Sequence, residues 1–131
     1  MSEETKPLPT ILLLEDEAQL TATYRANLES EFDIESAGNV EEALMLLGTR
    51  NFDILLSDQM LPGKKQGLDF LIEAMRRQPT ARRVLLTGYL NPELLARGTA
   101  MARLSACLLK PIGMDKLKET LYHVLRTPQP E

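Results

Sequence analysis

Short apolar runs recur along the chain, and stretches with helical periodicity separate them. The run Thr10–Leu14 (T-I-L-L-L) does not alternate apolar and polar positions, which is typical of a strand buried on both faces. The run 52–58 (F-D-I-L-L-S-D) also predicts a buried strand, and it ends in a carboxylate, Asp58. Three further strands are predicted. One is a weak strand at Asp33–Ala37, one starts with the run 83–86 and ends at Thr87, and one is at Ala106–Leu109.

Apolar residues between these strands recur at helical spacing and predict five helices. Asn91 and Pro92 have the cap and first-turn proline of a fourth helix over 92–102, which Gly98 and Thr99 weaken. Gly67 opens the third helix. The predicted apolar stripes of the first, second, third and fifth helices are, in that order, Leu20, Tyr24, Leu28 and Phe32; Val40, Ala43, Leu44 and Leu47; Leu68, Leu71, Ile72 and Met75; and Met114, Leu117, Leu121, Val124 and Leu125.

The order of strand followed by helix is therefore repeated five times. Such alternation with short connections predicts an α/β domain with a parallel sheet and helices on both faces. The predicted domain covers residues 9–126. We expect a flexible N-terminal tail at 1–8 and a C-terminal tail or the start of a linker at 127–131, where the sequence is polar and rich in proline.

Composition excludes several classes of function. The net charge of −4 argues against direct binding of nucleic acid or of an anionic membrane through a basic field. No apolar run is long enough to predict a membrane span. The single cysteine, Cys107, allows no internal disulfide, which favours a reducing compartment and hence a cytoplasmic location.

Polar residues stand at the ends of four predicted strands. Glu15 and Asp16 follow the first strand, Asp58 ends the third, Thr87 ends the fourth and Lys110 follows the fifth. Because the carboxyl ends of parallel strands share one edge of a sheet, we expect these side chains to converge. Clustered carboxylates favour a hard cation such as Mg²⁺, and a hydroxyl and an ammonium are suitable donors to phosphoryl oxygens. This combination predicts phosphoryl transfer.

Five motifs in this order resemble those of a response-regulator receiver domain of two-component signalling, in the CheY-like superfamily. They are I-L-L-L-E-D-E at 11–17, F-D-I-L-L-S-D at 52–58, M-L-P-G at 60–63, L-L-T-G-Y at 85–89 and L-L-K-P at 108–111. The resemblance covers roughly residues 8–126. It implies a flavodoxin-like (βα)5 fold with strand order 2-1-3-4-5.

The resemblance also implies a metal site that holds Mg²⁺, or Mn²⁺ in its place. Asp16 and the phosphoacceptor Asp58 bind the ion directly, Glu15 binds it through water, and the backbone carbonyl of Met60 is a further ligand.

The phosphoryl group is implied to reach Asp58 from the phosphohistidine of a sensor histidine kinase or a phosphotransfer protein. Thr87 then donates its hydroxyl to the phosphoryl group, and Lys110 pairs first with the Asp58 carboxylate and then with the phosphate. The Lys110–Pro111 bond is expected to be cis. The resemblance thus implies a signalling module that catalyses only its own phosphorylation and dephosphorylation. The chain is then expected to be either a single-domain regulator or a fragment of a longer one, with its C-terminal effector domain outside this chain. A homodimer through the fourth and fifth helices is common in the family.

One departure from the family pattern concerns the switch. The family usually has Tyr or Phe three residues before the lysine, where this chain has Cys107. Tyr89, two residues after Thr87, is the nearest candidate for a replacement. We expect phosphorylation to shift the segment from Thr87 through the fourth helix without a rotation at position 107.

The other departure concerns the loop after the phosphoacceptor. The family commonly has a glycine eight residues after the aspartate, whereas Gly67 lies nine residues after Asp58. The segment 64–66 (K-K-Q) adds length and positive charge there. This change either tunes partner choice or phosphate lifetime, or is a neutral surface insertion.

Two other functional classes would each need a feature that this sequence lacks. A phosphohydrolase with an aspartyl-phosphate intermediate would have a second aspartate two residues after the nucleophile, where this chain has Met60. A flavin-binding module would need a phosphate-binding loop after the first strand, and the acids at 15–17 would repel phosphate unless a metal intervened.

Overall fold

The computed structural model describes residues 7–128, so 1–6 and 129–131, most of the two predicted tails, lie outside the described residues. The strands are β1 (Thr10–Leu14), β2 (Asp33–Ala37), β3 (Ile54–Asp58), β4 (Arg82–Thr87) and β5 (Ala106–Leu109). The helices are α1 (Ala18–Leu28), α2 (Val40–Leu47), α3 (Gly67–Arg77), α4 (Pro92–Arg97) and α5 (Met114–Arg126), with a π-helical turn, Gly98–Ala102, directly after α4. None of the helices in the described range is long and apolar enough to cross a membrane.

The strands form one parallel sheet in the order β2-β1-β3-β4-β5, which confirms the predicted fold. Asp58 pairs with Leu86 at the end of β3, and Thr87 pairs with Leu109 at the end of β4. Lys110 follows immediately. The register therefore brings the predicted site residues to the same edge of the sheet.

The core has two halves, one on each face of the sheet. In β1, Leu12 and Leu14 belong to a cluster with α2 and α3, whereas Ile11 and Leu13 belong to a cluster with α1 and α5. All four side chains are buried. Both faces are thus covered, which explains why the strand shows no alternation of polar and apolar residues.

The predicted face of α3 is only partly right. The buried residues of α3 are Gly67, Leu68, Phe70, Leu71 and Ala74. Ile72 and Met75 were expected in the core and are only partly buried. The reason is that Gly67 is seated on the backbone of β3, so the residues three, four and seven positions after it face inward.

The fourth helical segment has the predicted extent but changes its hydrogen bonding midway. Asn91 caps it, because its side chain accepts a hydrogen bond from the backbone N–H of Leu94 at 2.8 Å. The α-helix gives way at Gly98 to the π-helical turn, and Arg103, with φ of 47°, ends it in the left-handed conformation. The predicted weakness at Gly98 therefore marks the point where the helix widens.

Candidate functional site

Asp58 is in direct contact with Lys110. The carboxylate is buried at the end of β3, with 6% of the residue exposed, and the Nζ of Lys110 donates a hydrogen bond to its Oδ1 at 3.1 Å. Burial acts to lower the pKa of Lys110, but the hydrogen bond and charge of Asp58, with the charge of Glu15, outweigh it and leave the pKa raised. Lys110 is therefore a cation held against the candidate nucleophile. The Lys110–Pro111 bond is cis, as the resemblance implied.

Two more carboxylates lie beside Asp58. Glu15, Asp16 and Asp58 each contribute one carboxylate oxygen to a set of three that lie within 4.8 Å of one another. Asp16 is exposed, whereas Glu15 is buried. Burial raises the pKa of Glu15, and the charges of Asp58 and Asp16 add to this, although the backbone N–H of Glu17 and the charge of Lys110 oppose it. The cluster thus concentrates negative charge at the edge of the sheet.

The donor set fits a hard divalent cation. Glu15 Oε2 accepts a hydrogen bond from the N–H of Glu17 at 3.1 Å, but the buried Oε1 has no hydrogen-bond partner within residues 7–128. A buried oxygen of this kind is stabilised by a cation or by the water that a cation carries. Mg²⁺ takes oxygen ligands and keeps several waters, so one or two carboxylates suffice for it. The carbonyl of Met60 stays a predicted ligand.

Thr87 reaches the site edge, but its hydroxyl is engaged elsewhere. Its Oγ1 donates to the carbonyl of Tyr89 at 3.1 Å and lies 3.2 Å from the N–H of Tyr89. Tyr89 is 72% exposed. A groove of about 410 Å³ lies between the loops that follow β3 and β4, lined by Gln59, Met60, Thr87, Gly88, Tyr89, Asn91 and Leu94. In this arrangement Thr87 holds the β4–α4 loop.

The β3–α3 loop is closed by two glutamine side chains that lie outside the sequence motifs. Gln59 accepts a hydrogen bond from the N–H of Leu68 at 2.9 Å. Gln66 accepts one from the N–H of Leu61 at 2.8 Å and donates one to the carbonyl of Gly63 at 3.2 Å. The extra residue of this loop is therefore accommodated by a bridge from Gln66.

A capping signal in the sequence could have identified Gln66. Asp69 follows it by three residues, and its carboxylate accepts a hydrogen bond from the N–H of Gln66 at 2.9 Å. This is the spacing at which the third residue of a helix reaches back to the cap. Lys65 lies 3.7 Å from Glu73, so this part of the added positive charge is directed to α3.

Cys107 is half-buried on β5, where it pairs with Leu85 of β4. Burial raises the pKa of its thiol, which is therefore neutral near pH 7. A small neutral side chain thus takes the position where the family usually has an aromatic residue. Tyr89 and Cys107 stay predicted parts of the switch, and the structure places them on different elements.

Known proteins share both this sequence pattern and this fold. The family description "Response regulator receiver domain" matches residues 11–122. The hydrogenase transcriptional regulatory protein HoxA of Cupriavidus necator is 31% identical over 112 residues, which cover 86% of this chain and 23% of HoxA. The phosphate regulon transcriptional regulatory protein PhoB of Rhizobium meliloti is 32% identical over 128 residues, which cover 95% of this chain and 55% of PhoB.

A solved structure agrees with these relatives. The signal receiver domain of an HD domain-containing protein from Pseudomonas fluorescens Pf-5 superposes with a TM-score of 0.84 at 26% identity, covering 90% of this chain and 94% of that one. The chain spans about a quarter of the length of HoxA and about half that of PhoB. The comparisons support a receiver domain and not the phosphohydrolase alternative. The chain belongs to the family of response regulator receiver domains of two-component signalling.

Proposed function

We propose that Asp58 accepts a phosphoryl group from a phosphohistidine of a sensor histidine kinase or a phosphotransfer protein. The observation that carries the proposal is that the buried Asp58 carboxylate touches an ammonium group and lies beside two further carboxylates. An oxygen of Asp58 attacks phosphorus while the bond from phosphorus to the imidazole nitrogen breaks. The imidazole keeps that electron pair and is protonated by solvent, so no further reactant is needed.

Glu15, Asp16, Asp58 and the carbonyl of Met60 are the proposed holders of Mg²⁺, or of Mn²⁺. When bound, the cation neutralises charge on the phosphoryl oxygens and on the carboxylates. Lys110 adds a second positive charge, and its raised pKa keeps it protonated throughout the neutral range. It needs only a short movement from Asp58 Oδ1 to reach a phosphoryl oxygen on the same side chain.

Thr87 supplies the readout in this proposal. Its hydroxyl exchanges the carbonyl of Tyr89 for a phosphoryl oxygen, and this releases the β4–α4 loop. The change is passed to an effector domain outside this chain, which we infer because the chain spans only part of the length of HoxA and PhoB. A homodimer through α4 and α5 stays a further prediction. We place the protein in the cytoplasm because its lone thiol suits a reducing compartment.

Direct labelling tests the proposal. The chain is incubated with Mg²⁺ and acetyl phosphate, and intact mass spectrometry measures the uptake of one phosphoryl group. We expect an adduct that is stable in acid and labile in base, absent from Asp58→Asn, and no turnover of phosphomonoesters such as p-nitrophenyl phosphate. An adduct that persists in Asp58→Asn, or a wild-type chain that no small donor or histidine kinase labels, contradicts the assignment.

A further inference from the structure

Adjacent arginines at the start of β4 each hold the end of a different helical segment. Successive side chains of a strand point to opposite faces of the sheet. Arg82 points to α5, where its Nε donates to the carbonyl of Val124 and its Nη2 to the carbonyl of Thr127, both at 2.8 Å. Arg83 points to the other face. Carbonyls at a helix C-terminus lack partners within the helix, so a guanidinium is well suited to bind them.

Arg83 makes the more buried of these two attachments, with 2% of its surface exposed. Its Nε donates to the carbonyl of Ala102 at 2.7 Å, and its Nη2 to that of Arg103 at 3.3 Å. On the other side, Nη1 donates to the carbonyl of Ala81 at 2.6 Å. The planar fork therefore ties the end of the π-helical turn to the start of β4.

The backbone of Arg83 extends this attachment to the segment that leads into β5. Its carbonyl accepts a hydrogen bond from the N–H of Ser105 at 2.7 Å, and its N–H donates to Ser105 Oγ at 3.1 Å. One residue thus holds both the end of the π-helical turn and the approach to β5.

The other end of the same segment is held much less firmly. α4 buries none of its six residues, whereas the π-helical turn buries Gly98 and Ala102. The loop before α4 is tied to the site through the hydrogen bonds between Thr87 and Tyr89. The segment is therefore asymmetric: its C-terminal end is buried and bonded, whereas its N-terminal end, next to Thr87, is exposed or half-buried, with Leu94 partly packed against the core.

We propose that Arg83 is the fixed anchor of the phosphorylation response, so that residues 88–97 move while 98–104 stay in place. The proposal rests on the proposed function, since it assigns the regulation of the same site. It also explains how the switch can work with Cys107 in place of the usual aromatic residue. The fixed end of the segment adjoins β5, which carries Cys107, whereas the moving end does not. The surface that changes then contains the β4–α4 loop and α4, with exposed Tyr89 and Leu95.

Hydrogen exchange measured by mass spectrometry tests this on the 131-residue chain, with and without Mg²⁺ and acetyl phosphate. In the wild type, phosphorylation changes exchange in peptides from 88–97 and leaves 98–104 unchanged. In Arg83→Lys the charge remains, but an ammonium cannot bind carbonyls on both sides as the planar fork does. Because hydrogen bonds to a charged group are lost, we expect exchange in 98–104 to rise about tenfold or more in that variant, and the phosphorylation-dependent change to spread into it.

Arg82→Lys is the matched control, because it replaces a guanidinium by an ammonium at the neighbouring position on the opposite face. It should speed exchange near 122–128 and leave 98–104 as in the wild type. The proposal is overturned if wild-type 98–104 responds as strongly as 88–97, or if resting Arg83→Lys exchanges like the wild type. If Arg83→Lys does not fold, the wild-type comparison still decides whether 98–104 stays in place while 88–97 moves. Intact mass, recorded on the same samples, separates a failure of phosphoryl uptake from a failure of the anchor.

Discussion

Gly67 lies so close to Asp58 that no side chain fits between them. A Cβ atom on residue 67 would be 1.9 Å from the carbonyl oxygen of Asp58 and 2.8 Å from its carbonyl carbon. The N–H of Gly67 also donates to the carbonyl of Gln59 at 3.0 Å. The first turn of α3 is therefore seated on the backbone of the candidate phosphoacceptor. The glycine has kept this contact although the loop before it is one residue longer than the family pattern.

Gly67→Ala should destabilise the protein severely. The atom that a methyl group meets is backbone, which cannot rotate away, so α3 or the end of β3 must move. We expect a loss of about 3 kcal/mol in the free energy of unfolding, measured by urea denaturation. Gly113→Ala is the control, because its Cβ meets nothing within 4 Å, and as a change at a helix cap it should cost only about 1 kcal/mol or less. Equal urea midpoints for the two variants would show that the contact with Asp58 is not rigid.

Mg²⁺ should stabilise the folded protein through the acidic cluster. An ion that binds only the folded state stabilises it by about 1.4 kcal/mol when its concentration is ten times the dissociation constant. We expect Asp16→Asn to remove most of this gain, because it deletes a carboxylate of the cluster. Glu17→Gln removes the same charge one position later, outside the cluster, and should retain it. Thermal melts with and without Mg²⁺ measure the difference, and an equal gain in Asp16→Asn would argue against the assigned ligand.

The sequence predicted the sheet edge well because the deciding information is local. Each strand could be located from its own apolar run, and the residue after it, such as Glu15 or Lys110, then falls at the edge by the rules of parallel sheets. The Asp58–Lys110 contact follows from that placement. The direction of the Thr87 hydroxyl does not, since it depends on the path of the β4–α4 loop.

The features that the sequence did not predict, the buried face of α3 and the burial of Arg83, depend on contacts between distant segments. The close contact of Gly67 with the backbone of β3 decides which face of α3 is buried. The periodicity of α3 alone does not decide between Phe70 and Ile72 as core positions. Arg83 is buried because carbonyls from two other segments surround it. An arginine at the start of an apolar strand carries no signal of those partners, so its burial cannot be predicted from the sequence.

The stability of the protein should depend on pH through Glu31. Hydrogen bonds from Lys118, at 2.7 Å, and from the Tyr122 hydroxyl lower the pKa of Glu31 below its usual 4.5. A lowered folded-state pKa gives stability that is present above pH 4.5 and is lost as the pH falls through the lowered value. The advantage of the wild type over Glu31→Gln should therefore shrink as urea midpoints are followed downward from pH 6. Glu29→Gln changes a nearby charge that bonds neither partner, and its difference from the wild type should stay small. A wild-type advantage over Glu31→Gln that is independent of pH would contradict the role of the charge.

The route of the signal past Cys107 can be tested at one amide. The N–H of Tyr89 lies 3.2 Å from Thr87 Oγ1, so its NMR chemical shift should change when phosphorylation draws that hydroxyl away. Thr87→Ala should abolish the change, and Thr87→Ser, which keeps the hydroxyl, should restore it. Cys107→Ala should leave the change intact, because residue 107 lies on β5, apart from the β4–α4 loop. If instead Cys107→Ala removed the shift while Asp58 still took up phosphate, the signal would pass through β5, and the small thiol would be a working part of the switch.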